Sequence, residues 1–136
     1  MPTVRAWLKS HPAEAPALMA ENPRYVFFRK LPGDAPVGAF NVALTAGRSL
    51  AVDPHFVPLG APLWLDSVDP DGNKLQRLVV AQDIGTAIKG AIRGDFYWGS
   101  GEAAFDKAGR MNSRGAYYLL LPLQHSAPLA LNGAKG

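Results

Sequence analysis

Pro62-Leu63-Trp64-Leu65, then Asp69-Pro70-Asp71-Gly72-Asn73, then Leu75-Gln76-Arg77-Leu78-Val79-Val80-Ala81 is the stretch on which the fold turns. Two apolar runs rich in aromatic and β-branched residues flank a turn. Pro70 presets one turn dihedral and Gly72 supplies a positive one, so the runs fold back on each other as a hairpin. Outward from it, shorter strand candidates lie at Tyr25-Val26-Phe27-Phe28, Asn41 to Leu44, Ser49 to Val52 and Ala116 to Leu121. Gly and Pro number 14 and 12 in 136 residues, a supply of turn formers that suits short strands closely joined. Six or seven such strands fit a small closed or nearly closed barrel better than an open sheet. The fold class expected is mainly β.

Helices are confined to short pieces. Trp7, Leu8, Leu18 and Met19 fall at roughly helical spacing between residues 3 and about 22. Pro12 disfavours a helical His11, so two short helices are expected, the second ending at Asn22-Pro23. Glu102 to Ala108 reads as one internal helix, with Ser100 as N-cap, Glu102 matched to the helix dipole and Gly109 as the stop. Leu31 to Pro36 is a turn by composition. Pattern is lost after Pro122. The expected organisation is a helical segment over 1–24 packing on a barrel over 25–123, with a flexible tail over 124–136.

Bulk properties exclude several classes. Nearly half the residues are hydrophobic, 48%, which excludes general disorder. The net charge is +3 and the lysines and arginines form no stripe, so a nucleic-acid interface is not expected. Without cysteine there are no disulfides and no thiolate metal sites. No apolar stretch reaches membrane-spanning length. Met1-Pro2-Thr3-Val4-Arg5 has neither a secretory signal nor a lipidation cysteine. Taken literally that is a cytoplasmic product; equally it is a mature or truncated fragment with an added Met1.

The candidate chemistry lies in Gln82-Asp83-Ile84-Gly85-Thr86-Ala87-Ile88-Lys89-Gly90 and Gly94-Asp95-Phe96-Tyr97-Trp98-Gly99. A carboxyl between an apolar strand end and a Phe-Tyr-Trp run is expected to be poorly solvated, and a second carboxylate nearby raises one of the pair further. That keeps an acid protonated near neutral pH, ready to protonate a leaving oxygen. The aromatic run offers flat faces for sugar rings, so the stretch reads as a glycan-cleaving site. Of the other acids, Asp34, Asp66, Asp69 and Asp71 lie in or beside turns, and Glu14, Glu21, Glu102 and Asp106 on helices. Asp53, before Pro54, remains a third strand-end candidate. Three aspartates can also hold a hard cation, but their spacing matches no EF-hand loop, and His11, His55 and His125 have no zinc spacing. No metal and no cofactor is expected.

At these residues the chain resembles the 3D domain, named for three aspartates, of the MltA-type lytic murein transglycosylases. The resemblance runs through Ala51-Val52-Asp53-Pro54, Val57-Pro58-Leu59-Gly60, Ala81 to Gly90, Gly94 to Gly99, Ala108-Gly109 and Tyr117 to Pro122. The segment up to Asn22-Pro23-Arg24-Tyr25-Val26-Phe27-Phe28 resembles the one preceding that domain. It implies a six-stranded double-psi β-barrel, and cleavage without water of the β-1,4 bond between N-acetylmuramic acid and N-acetylglucosamine in peptidoglycan. By motif position Asp95 is the acid/base and Asp83 its supporting catalytic neighbour. Asp53, Gly85, Thr86, Lys89, Tyr97 and Trp98 fall in the substrate-binding set. The resemblance also implies glycan strands as partner and the cell envelope, periplasm or outer membrane, as location.

Two departures stand out. Thr86 replaces a glycine in the family's Asp-Xaa-Gly-Gly turn. The family's further N-terminal portion and inserted second domain are expected to be missing, leaving one wall of the groove to a partner domain or a second copy of the chain. A non-catalytic glycan-binding barrel using Tyr97 and Trp98, or a structural fragment, are the alternatives.

Overall fold

The 69–73 turn joins the two longest strands of the sheet. The element order is α1 (Pro2–Ser10), α2 (Ala15–Ala20), β1 (Ser49–Val52), β2 (Pro62–Val68), β3 (Lys74–Asp83), β4 (Gly94–Phe96), α3 (Glu102–Arg110) and β5 (Ala116–Leu119). These come from a computed structural model that describes residues 2–24, 27, 30, 33 and 35–123. In the turn, Gly72 takes a φ of 84° and the Asp69 carboxylate accepts from the backbone N–H of Asp71 and Asn73. The sequence signal therefore acts through the chemistry expected of it.

The five strands form one sheet in the order β4-β1-β3-β2-β5, antiparallel except for the parallel β1–β3 pair. Alternation along the strands sends one set of side chains inward. Leu63 stands opposite Val79 on one side and Leu119 on the other, and this row continues into a core of Leu50, Val52, Val57, Leu65, Leu75 and Ala81. Each such Leu or Val stabilises the fold by about 1.5–3 kcal/mol on full burial. Phe96, Trp98, Met111 and Tyr117 close the core's margin.

Several expectations are corrected. Asn41 to Leu44 is not a strand: Asn41 has a φ of 59°, and only an isolated bridge pairs Val37 with Ala43. Of the strand expected at Tyr25 to Phe28, all but Phe27 lies outside the described residues, as do residues 124–136. A short strand the sequence did not announce, β4, carries Asp95 at the sheet's edge. The sheet thus has five strands among the described residues instead of six.

The cap of α3 is Gly101 and not Ser100, because the cap residue has a φ of 91°, a left-handed conformation costly for serine. Gly109 does not stop the helix either. It is carried inside the last turn at a cost of about 1 kcal/mol, since Arg110 beyond it is anchored to Asp106 and Asp71 at 2.7 and 2.9 Å. The N-terminal break falls at His11-Pro12 as expected, with His11 stacked on Trp7. Arg5 of α1 reaches α3, 3.6 Å from Glu102 and over the Phe105 ring.

Candidate active site

β1 organises the site because it lies between β3 and β4. Ala51 is the register partner of Asp83 in β3 and of Asp95 in β4. The β1–β3 register shifts between Leu50 and Ala51: Leu50 faces Ala81, and Ala51 then faces Asp83, so Gln82 is passed over. Side chains alternate faces along a strand, so this bulge decides which residue reaches the Asp95 side. Gln82 is held aside by its contacts, its side-chain oxygen accepting from the Ser49 hydroxyl at 2.5 Å and its carbonyl from Phe40 N–H at 3.1 Å.

Asp83 and Asp95 line one open cleft of about 220 Å³ together with Leu44, Ile84 and Tyr97. One Asp83 oxygen accepts from the N–H of Ala39 at 3.0 Å and of Ile84 at 2.9 Å, which fixes the carboxylate's orientation. Asp95 is held loosely. Its side chain is 59% exposed, and its one ion pair among the described residues is to Arg93 Nε at 3.5 Å. The poor solvation expected for Asp95 is therefore absent: Phe96 and Trp98 pack against the core, and the carboxylate stays exposed.

Phe96 and Trp98 meet edge to face at 4.8 Å and pack against the core. Lys107 Nζ sits 5.1 Å over the Trp98 ring, and Trp98 Nε1 is buried without a hydrogen-bond partner among the described residues. Trp98 thus faces the protein more than the solvent. Tyr97 lines the cleft, its hydroxyl 3.2 Å from that of Ser100. On the far side of Asp95 a second cleft, about 280 Å³, is lined by Arg93, Asp95, Trp98, Met111, Asn112 and Ser113, among others.

Asp53 is the buried acid of the three. Its side chain is 5% exposed, and it accepts from Gly90 N–H at 2.9 Å, from His55 Nδ1 at 2.8 Å and from His55 N–H at 3.1 Å. These bonds, the Gly90 N–H foremost, outweigh burial and lower its pKa to about 2. It ties β1 to the 85–90 loop. In that loop Ile88 N–H closes a turn on Gly85 O and the Ile88 side chain is buried, while Thr86 and Lys89 are exposed. A Cβ on Gly85 would come within 2.8 Å of Ile88 Cδ1, so any side chain here would displace the buried Ile88 side chain. Tyr117 donates to the carbonyl of Ala91 and braces the segment leading to Arg93; burial, then the nearby Asp53 charge, pushes its hydroxyl pKa up.

The structure therefore brings Asp83, Asp95 and Tyr97 together, places Asp53 beneath the loop that carries Gly85, Thr86 and Lys89, and turns Trp98 inward. Arg93 was missed. Its spacing was the available signal, since residues two apart share a face of an extended chain. Among the described residues no three His, Asp or Glu side chains group as a metal site, and no helix is long and apolar enough to cross a membrane.

Comparison with known proteins bears on this geometry. Residues 48–121 match the 3D domain family, and residues 1–29 match the MltA specific insert domain. The expectation that the insert is missing is thus corrected, because the N-terminal helical segment matches part of it. Membrane-bound lytic murein transglycosylase A of Escherichia coli K12 is 38% identical over 88% of this chain and 34% of its own length. MltA from Neisseria gonorrhoeae superposes with a TM-score of 0.80 at 40% identity, covering 88% of this chain and 31% of that one. E. coli MltA with bound chitohexaose gives 0.77 at 33% identity, covering 86% of this chain and 37% of that one. The chain spans about a third of the length of the curated relatives it matches.

Proposed function

This chain belongs to the 3D domain family, and from that premise we propose that it is the catalytic part of a peptidoglycan lytic transglycosylase. The reading rests on one observation above all: Asp83 and Asp95 meet opposite Ala51 in an open cleft. Asp95, whose one ion pair among the described residues is to Arg93 at 3.5 Å, is the acid/base. It protonates the oxygen of the β-1,4 bond between N-acetylmuramic acid and N-acetylglucosamine as that bond breaks. The muramyl C6 hydroxyl oxygen then bonds to the anomeric carbon, and its proton returns to Asp95. The product is a 1,6-anhydromuramyl end.

One carboxyl suffices because the nucleophile belongs to the substrate, unlike the two-carboxyl division of ordinary glycosidases. A glycan lying across the cleft removes the water that now surrounds Asp95, so the dry environment of the acid comes from the substrate. Asp83, oriented by two backbone N–H donors, stabilises the positive charge that develops at the anomeric carbon. Tyr97 offers a ring to a sugar face. Asp53 is a positioning residue that holds the 85–90 loop, from which Gly85, Thr86 and Lys89 meet the glycan.

The parallel β1–β3 pair within an otherwise antiparallel sheet supports a six-stranded double-psi barrel as the complete architecture. The barrel spans 25–123 behind the 1–24 helical segment, and a partner domain or second copy completes the groove. The names of the relatives support a cell-envelope location. Incubation with purified murein sacculi tests the activity: anhydromuropeptides detected by mass spectrometry and lost in Asp95→Asn support it, whereas reducing-end products sink the mechanism. Sedimentation with sacculi without cleavage is the outcome for a glycan-binding barrel; the chitohexaose complex of a relative supports glycan binding under either reading.

A further inference from the structure

We infer that the cleft on the Trp98 side of Asp95 is a carboxylate subsite anchored by Arg93, through which the site selects acid-bearing glycan over neutral β-1,4-glycan. The inference rests on the transglycosylase reading above and adds to it the chemistry of the preferred substrate.

Asp95 and Phe96 line both clefts, so the acid stands on the divide between them. The Trp98-side cleft, about 280 Å³, is the roomier, and its walls are of different chemistry. Asp83 belongs to the other cleft, and among the described residues Asp95 is the single carboxylate lining this one. Arg93, Asn112 and Ser113 line the space and carry hydrogen-bond donors, although the Ser113 hydroxyl is turned to Met111 Sδ at 3.7 Å. Lys107, seated over the Trp98 ring, is paired with Asp69 and Asp71 at 3.7 and 3.8 Å, so among the described residues Arg93 is the cation that lines this cleft.

Arg93 is not consumed by Asp95. The pair is long, its closest approach 3.5 Å at Nε, and the Arg93 side chain is 56% exposed. The two terminal nitrogens are left for another acceptor, and a guanidinium fork matches a carboxylate through two parallel bonds. An incoming carboxylate meets that outer end of the fork. Such groups distinguish a muramyl unit from N-acetylglucosamine. They are the lactyl carboxylate of a peptide-free unit, or the carboxylates of a peptide stem when the lactyl group is an amide.

Calorimetric titration in an Asp95→Asn background, where turnover cannot intervene, compares three ligands. These are a peptide-free murein fragment, a stem-bearing fragment and chitohexaose. At least one acidic fragment is expected to bind about tenfold more tightly than chitohexaose, and which one does so identifies the carboxylate. Adding Arg93→Gln erases the preference, Arg93→Lys restores part of it, and salt weakens it. A preference that survives Arg93→Gln overturns the inference, and so does equal binding of all three ligands in the parent. The underlying reading fails separately, if the native chain yields no anhydro product from sacculi while the Arg93-dependent preference persists. Failure to bind any of the three overturns both.

Discussion

Asp83 and Asp95 are in register with the same residue, Ala51, from the two sides of β1. Two inter-strand steps separate their backbones, about 10 Å, and both residues line the same cleft. One is clasped by backbone donors and the other is nearly free. A fixed charge stabiliser and a mobile acid/base are the roles that such a difference fits.

Asp95→Asn should abolish anhydro product formation, lowering the rate by at least about 100-fold, the usual contribution of a general acid. The side chain is exposed and makes one long ion pair, so the thermal midpoint should stay within a degree or two of the parent's, by about the margin of a neutral surface change. Product analysis by mass spectrometry and a circular-dichroism melt check both halves.

Gly38→Ala should damage activity from outside the cleft. The added methyl would strike the carbonyl oxygen of Gln82 and come within 2.6 Å of Leu44 Cδ2. Gln82 is the residue passed over by the register shift, and Ala39, next in the chain, donates to Asp83. The expected result is a lower thermal midpoint together with a fall in kcat larger than the change in KM.

Acid should loosen the 85–90 loop through Asp53. Its folded pKa is depressed to about 2, so its contribution to stability is complete above the ordinary carboxyl range and is lost as pH falls through that range toward about 2. Asp53→Asn removes this contribution at neutral pH by setting an amide against Gly90 N–H. Hydrogen exchange at Gly90 should quicken in the variant at pH 7, and the variant's stability should then vary less between pH 5 and pH 2. Unchanged exchange would show that the bond carries nothing.

Tyr97→Ala and Trp98→Ala should separate binding from folding. Trp98 packs on Phe96 at the core margin, so its removal should cost about 3 kcal/mol of stability in chemical denaturation. Tyr97 lines the cleft, so its removal should weaken glycan affinity with a smaller loss of stability. Equal loss of stability in both variants would remove Tyr97 from the sugar platform.

Much of the fold was legible because it rests on local rules. The Asp69 to Asn73 turn, the alternation along Leu75 to Ala81 and the break at His11-Pro12 each depend on residues close in the chain. The failures share another cause. β4 is too short to show a period, and it exists because β1 offers it an edge. Asn41 to Leu44 had strand-like composition, but its backbone turns back on Gly38 and Pro36, while Phe40 before it is held by Gln82 far along the chain. The Ser100 cap failed because the turn required a positive φ that Gly101 supplies.

By itself, the sequence determined which residues could do the chemistry: three aspartates at strand ends, set among glycines and aromatics, on a mainly β chain with one strong hairpin. Side-chain type and local spacing are enough for that. Tertiary structure alone decided their division of labour. A one-residue slip between β1 and β3 turns Asp83 toward Asp95, three donors trap Asp53 as a buried anion, and an edge strand leaves Asp95 in water beside Arg93. Register and burial are properties of segments distant in the chain, as are the Gly90 and Ala39 donors, and no local pattern encodes them; only the His55 and Ile84 donors are local.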